Sequence, residues 1–214
     1  MKQIFLLSTI IALFSLTTSG QIKKGSLHLG GQFSYYNSKV VYNTSQPEQK
    51  FNSGNYNISA GTALKENSVL GLYIGYGHYY FKDSSNYYSK IKDDRYNIGV
   101  FYRQYKRLAK DFYFFGELGG GYIGSNRTYV SGPGNVTTKY AQSGAGLSLT
   151  PGISYRIYKK LQVELSIPQI AGVQYAVIKT TSLVNNSKED QFSFNTNLNS
   201  SLLNNLGLGF RFVF

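Results

Sequence analysis

The chain of 214 residues has no cysteine and no tryptophan, one methionine, two histidines and four prolines. Without cysteine it can build neither a disulfide framework nor a thiolate metal site, and it offers no lipobox cysteine for acylation. Two histidines with no clustered carboxylates also argue against a bound metal, and no cofactor is expected. Acid is scarce: 10 Asp and Glu stand against 22 Lys and Arg, a formal net charge of +12. In a cytoplasmic protein that excess would point to nucleic acid, so the compartment decides how it is read. Long apolar runs are missing after residue 20, which excludes a helical membrane span in the body of the chain.

The compartment is indicated by the first residues. Lys2 precedes the apolar stretch IFLLSTIIALFSL, which Ser8, Thr9 and Ser15 interrupt, and small residues Thr17 to Gly20 follow. The run falls short of the ~20 residues a spanning helix needs. Residues 1–20 therefore read as a secretory signal peptide cut before Gln21, leaving one domain over 21–214. Export removes nucleic acid as a partner and leaves anionic lipid or polysaccharide.

What is abundant is aromatic and small: 20 Tyr, 14 Phe and 23 Gly. With so few prolines, these are the residues of long strands and tight turns. Eight segments of period-2 character follow one another, joined by alternately short and long connections, the pattern of an up-and-down meander. In GNYNISAGTAL, Tyr56, Ile58, Ala60 and Leu64 share one face, and Asn57, Ser59 and Gly61 the other. In RYNIGVFYRQY, Tyr96, Ile98, Val100 and Tyr102 oppose Arg95, Asn97, Gly99 and Arg103. The seventh segment, LQVELSI, runs into Pro168, where a bulge or break is expected near Gln169. The eighth reads as one long strand from Phe192 to Phe214, closing on the first.

The polar face separates the candidate folds. A sandwich or lipocalin turns lysine and glutamate outward from an apolar interior. Here the polar face is glycine, serine and asparagine with isolated arginines and glutamates, while lysines fall almost wholly in connections. The predicted fold is therefore all-β: an eight-stranded antiparallel up-and-down transmembrane β-barrel with a packed polar lumen and an apolar, tyrosine-girdled outer wall. A closed barrel satisfies every backbone group in lipid, which an open sheet cannot. Short turns near 65–68, 109–111 and 159–160 alternate with loops near 39–50, 82–94, 126–139 and 179–190. That alternation predicts periplasmic termini and extracellular long loops. Much of the positive charge then falls on the periplasmic rim, at Lys23, Lys24, Lys65, Lys106, Arg107, Lys110, Lys159 and Lys160, as solvated turns beside anionic headgroups.

Charges in a narrow lumen must pair. Folding the chain back about Lys110 sets Arg103 opposite Glu117, and the next such turn sets Arg156 opposite Glu164. With Arg211 on the closing strand, the expectation is an internal network of Arg103, Glu117, Arg156, Glu164 and Arg211, either fixing the barrel or gating ions. His28 is expected in the lumen and His78 on the outer face. GGGYIG, Gly119 to Gly124, matches G-x-G-x-x-G but lies along a strand with no helix after it, so it carries no nucleotide.

The opening KGSLHLGGQFSYYNSK, the stretch GISYRIYKKLQVEL and the closing LGLGFRFVF resemble the small outer-membrane barrels of the OmpA, OmpX and OmpW type, the outer membrane protein β-barrel domain proteins of Gram-negative bacteria. The resemblance covers 21–214 as a pattern. It implies residence in the cell outer membrane, contact with outer-membrane lipid and lipopolysaccharide, and a monomer. It also implies that Phe210, Phe212 and Phe214 form the C-terminal sorting signal read by the barrel-assembly machinery. The expected role is structural or surface interaction, not enzymatic; the alternative is a narrow OmpW-like channel for small solutes. Some similar barrels modify lipid A with a histidine and a serine, which makes His78 the candidate for a third, lesser reading.

Overall fold

In a computed structural model of the chain, residues 22–41, 48–83, 89–131, 136–183, 186–196 and 206–214 are described, and the expected signal peptide lies outside them. Ten strands follow one another: β1 (Leu27–Val41), β2 (Glu48–Lys65), β3 (Ser68–Asp83), β4 (Ser89–Arg107), β5 (Phe112–Ser131), β6 (Val136–Tyr158), β7 (Leu161–Ser166), β8 (Ala171–Thr181), β9 (Asn186–Thr196) and β10 (Gly207–Val213). All pairings are antiparallel. Neighbours in sequence pair from β1 to β7, β7 pairs β10, and β10 pairs β1 over His28 to Phe33, which closes a ring of eight strands.

The ring is the expected up-and-down barrel, and it differs from the sequence reading in its last quarter. The seventh segment breaks as expected, at Ile167 to Ile170, with Gln169 at φ 52°. Below the break β7 pairs Gly152 to Tyr158 of β6; above it β8 pairs Lys139 to Leu149 of the same strand. The eighth segment is not one described strand. β9 pairs β8, and only β10 meets β1; residues 197–205, with Leu198 and Leu202, lie outside the described residues. The long connections are also shorter than expected, because β1 to β6 continue well beyond the apolar stretch of each strand.

Outside and inside are inverted relative to a water-soluble domain. Ile58 is 68% exposed and Leu72 64%, with Ile74, Ile98, Val100, Leu118 and Leu147 also exposed on the outer wall, while Phe101 is 1% exposed in the lumen. Tyr56, Tyr76 and Tyr96 lie on one rung of β2, β3 and β4 and begin an upper girdle. Phe112 and Tyr155, 4.6 Å apart between ring centroids, begin a lower one. From Phe112 up β5 to Tyr122, a rise of about 3.4 Å per residue and a tilt of about 40° give a band on the order of 25 Å tall, the height of an outward apolar belt in membrane barrels. No helix among the described residues is long and apolar enough to cross a membrane, which says nothing about crossing by strands.

The lumen is not uniformly small and polar. At the end where β1 begins and β10 finishes (the terminal end), Val69, Phe101, Tyr105, Tyr113 and Phe115 form a buried cluster, and Ile22 tucks beneath it. Gly25 donates to the Ala63 carbonyl at 2.8 Å and Asn67 to the Ile22 carbonyl at 3.1 Å, so the segment before β1 folds under the barrel. The aromatics fit because glycines face them. A Cβ on Gly71 would stand 2.6 Å from the Phe101 ring, and one on Gly152 would collide with Phe115.

Candidate functional site: an ion cluster across the lumen

The register of β4 and β5 sets Arg103 directly opposite Glu117, and both point inward. Arg103 Nη2 lies 2.7 Å from Glu117 Oε2, and Arg103 Nη1 reaches across the lumen to Glu164 Oε1 of β7 at 2.7 Å. From β10, Arg211 Nε donates to the same Glu164 oxygen at 2.8 Å. Glu164 thus accepts from two guanidinium groups, and Arg103 donates to two carboxylates. Arg103, Glu164 and Arg211 are all buried. The Arg103 guanidinium also stacks over the Phe115 ring, 4.1 Å from its centroid, and Tyr105 donates to Glu164 at 3.4 Å. Charged groups with this much desolvation are held by their mutual hydrogen bonds, so two cations and two anions here act as one unit, with the buried Arg211 Nη1 left without a hydrogen-bond partner among the described residues.

Glycine makes this crossing possible as well. Gly209 stands opposite Glu164, and Gly30 opposite Arg211, whose guanidinium carbon would lie 2.9 Å from a Cβ on Gly30.

Arg156 does not belong to the cluster. A two-residue turn at Lys159 and Lys160 and a bulge between Arg156 and Tyr158 each move the β6 and β7 pairing by one residue from the expected fold-back, so Arg156 faces Gln162, and Ser154 faces Glu164. Arg156 instead donates to the Tyr113 hydroxyl at 2.9 Å and lies over its ring. His28 is fully buried beside the cluster, with its Nε2 3.2 Å from Ser26 Oγ. His78 lies on the outer wall, where it shares a hydrogen bond with Asn52 and stands opposite Gly54 and Asp94. Phe210 and Phe212 face outward on β10. Phe214 follows the strand, exchanges backbone hydrogen bonds with Leu27 at 3.0 and 2.9 Å and carries Lys160 over its ring.

Above the cluster the lumen widens into a cavity of about 290 Å³. Arg103, Glu117, Glu164, Arg211 and Phe115 form its floor, and Gln32, Asn57, Ser59, Asn97, Ser148 and Gln174 are among the side chains in its wall. The wall mixes these amides and hydroxyls with the apolar side chains of Ile123, Leu147 and Val173; the floor is a charged layer resting on aromatic rings. Nearer the other mouth, which we term the loop end, Asp93 is buried between Arg95 at 3.1 Å and Arg127 at 2.9 Å. Among the described residues no group of three His, Asp or Glu is placed to hold a metal.

Beyond the apolar belt the outer wall carries its own charges. Lys92 lies 2.9 Å from Asp94 and holds that carboxyl below its ordinary range, assisted by a hydrogen bond from the Tyr76 hydroxyl. Lys39 and Lys50 do the same for Glu48, at 2.7 and 3.2 Å.

The fold defines the class, an eight-stranded antiparallel up-and-down β-barrel of the outer-membrane type. No protein-family model matches the chain, and no curated protein matches it by sequence. The solved structures it resembles are outer-membrane barrels. One is a major outer membrane protein of Thermus thermophilus, with a TM-score of 0.49 and 11% identity over 89% of this chain and 99% of that one. Another is the N-terminal β-barrel domain of Pseudomonas aeruginosa OprF, at TM-score 0.40 and 13% identity over 89% of this chain and 98% of that one. Neisserial surface protein A matches at TM-score 0.39 and 16% identity, again over 89% and 98%.

Proposed function

We propose that the chain is an integral barrel of a bacterial outer membrane, with a structural or surface-interaction role and a lumen closed at the terminal end. The observation that carries this reading is the pairing of an exposed apolar outer wall with a buried floor, in which Arg103, Glu164 and Arg211 cross the lumen above Phe101, Tyr105, Tyr113 and Phe115. An exposed apolar band of this extent needs lipid around it, and a floor of paired charge packed on aromatic rings leaves no route for solute. In this reading both termini face the periplasm and the strand extensions face outward. Phe210, Phe212 and Phe214 form the sorting signal for the barrel-assembly machinery, and the barrel is a monomer in contact with lipopolysaccharide. No residue is assigned a catalytic role; His78, bonded to Asn52, sits as an interfacial side chain.

The cavity of about 290 Å³ above the floor favours one second reading, a narrow channel whose gate is the ion cluster. Planar-bilayer recording distinguishes the two. The closed barrel is expected to show no steady conductance, either as wild type or with Glu117→Ala, because Arg103 keeps Glu164 and the aromatic layer beneath is untouched. A steady wild-type conductance that Glu117→Ala enlarges or abolishes would establish the channel instead.

A further inference from the structure

Two hydrogen-bonding atoms beside the lumen cavity have no partner among the described residues. Arg211, 3% exposed, leaves Nη1 unpaired, and Asn97 Oδ1 is buried and unpaired as well. Both residues line the cavity of about 290 Å³, and each has a companion there. Gly30 lies between Arg211 and Ser59 on one rung, and a Cβ on it would stand 3.0 Å from Arg211 Nη1 and 2.8 Å from Ser59 Oγ. A guanidinium N–H and a hydroxyl thus converge over a glycine that has no side chain to meet them. On the next rung toward the loop end, Gly75 lies between Asn57 and Asn97, and a Cβ on it would collide with both Oδ1 atoms. Two amide oxygens therefore face one gap, and two acceptors side by side need a donor between them. The donor pair and the acceptor pair stand two strands and one rung apart, on the order of 10 Å along the curved wall. Tyr73 shares the rung of Ser59, and beyond it Gly99, Gly121 and Gly146 leave three consecutive strands bare. The charges of the floor balance, two guanidinium groups against two carboxylates, so the pocket offers an ion no net attraction. What it offers is hydrogen-bonding capacity of both kinds, beside the apolar surfaces of Tyr73 and Ile123. Its volume is at the small end of ligand pockets, which run from about 300 to 1,000 Å³, and suits one small ring rather than a chain.

We propose that this cavity is a binding site for a neutral sugar the size of one monosaccharide. Its hydroxyl oxygens accept from Arg211 Nη1 and Ser59 at one end, and its hydroxyl groups donate to Asn57 and Asn97 at the other. The inference rests on the enclosed lumen of the barrel reading above and adds the ligand class and the residues that hold it. A sugar is favoured over a small acid or a zwitterion because it donates and accepts at both ends without bringing charge onto a balanced floor.

The test uses the full chain in phosphatidylcholine nanodiscs, with empty nanodiscs as the blank and glucose, galactose and mannose as probes. Saturation-transfer NMR is expected to show at least one of the three bound to wild type with a millimolar Kd, and acetate and glycine bound at least about tenfold more weakly. Asn57→Leu with Asn97→Leu is expected to weaken sugar binding at least about tenfold, and Ser59→Ala about threefold. Asn126→Ala, outward on β5, is expected to leave it unchanged. Should the double leucine variant fail to insert, Asn57→Ala and Asn97→Ala are measured singly, each with a loss of about threefold expected. No saturation transfer to any of the three sugars from inserted wild type means that water alone fills the cavity, and overturns the inference. Equal binding by wild type and the inserted asparagine variants overturns it too, as does acetate or glycine bound as tightly as the sugar. Liposome swelling keeps this result apart from that of the closed floor. A sugar that binds and also passes the barrel supports the site while overturning the closed floor; neither binding nor passage overturns the site and leaves the closed barrel standing.

Discussion

Glu164→Ala is expected to lower the unfolding free energy of the bilayer-inserted barrel by about 3–5 kcal/mol, the range for removing one partner of a buried ion pair. The size follows from what Glu164 leaves behind. Arg211 Nε and Arg103 Nη1 lie 2.8 and 2.7 Å from it, in a layer bounded below by Phe101, Tyr105 and Phe115. Arg103 would keep Glu117, but Arg211 would lose the carboxylate that holds it over Gly30. Glu117→Ala is expected to cost about 1–2 kcal/mol, in the range of one charged hydrogen bond, because Arg103 stays paired with Glu164 and Glu117 is the more exposed of the two carboxylates. Urea titration of vesicle-inserted protein, followed by tyrosine fluorescence because the chain has no tryptophan, gives both values. Equal effects of the two substitutions would remove Glu164 from the centre of the cluster.

The second large effect concerns the opposite surface. Ile98→Arg is expected to cost about 2–4 kcal/mol in a bilayer, whereas Thr128→Arg, outward on β5 beyond the tyrosine girdle and opposite Lys92, is expected to cost about 0–1 kcal/mol. Both positions face outward, and they differ chiefly in depth along the wall. Ile98 is already exposed, so in water the change to arginine would fall within about 0.5 kcal/mol. The contrast between the two substitutions, measured in the same vesicles, reports where the hydrocarbon lies. A cost at Ile98 no greater than at Thr128 would mean that the apolar wall does not face lipid.

Much of this structure is legible in the residues because a barrel strand has a period of two and no freedom to rotate. The alternation at Tyr56 to Leu64 and Tyr96 to Tyr102 fixes which side faces out. The tight turn near Lys110 fixes a register in which Arg103 meets Glu117. The same fold-back logic fails at the next turn of that kind, because the two-residue turn at Lys159 and Lys160 and the bulge at Arg156 and Tyr158 each move the pairing by one, and the total shift of two keeps every side chain on its expected face. Parity therefore could not reveal that Ser154, not Arg156, meets Glu164. The aromatic floor was readable in principle: Phe101, Tyr105, Tyr113 and Phe115 all have inward parity, and Phe101 and Phe115 have glycines as neighbours across the sheet. A polar lumen was inferred from the more numerous small residues, and it is the few large ones that fill the volume. The lysines on the strand extensions were missed for a related reason. Strands that outrun the membrane lose their apolar alternation while keeping their hydrogen-bonded ladder, so Lys39, Lys50, Lys82 and Lys90 look like loop residues until their partners are known. The break at Pro168 was visible, since proline cannot donate to a ladder. That β8 would take the upper half of β6, with β9 on its far side, while β7 and β10 close the ring was not, because it depends on which half of β6 each segment finds.

The central claim is that even positions of β2 and β4 face hydrocarbon and odd positions face an enclosed lumen. The absence of native cysteine makes a direct measurement simple, because single cysteines at Asn57, Ile58, Asn97 and Ile98 can each carry a nitroxide label with no background. Power-saturation EPR in bilayers, with oxygen as the lipid-soluble relaxant and a nickel chelate as the water-soluble one, is expected to show high oxygen and low nickel access at Ile58 and Ile98. Low oxygen access is expected at Asn57 and Asn97. Nickel access at Ile58 and Ile98 as high as at a label on an exposed loop would contradict the account, since the wall would then face water.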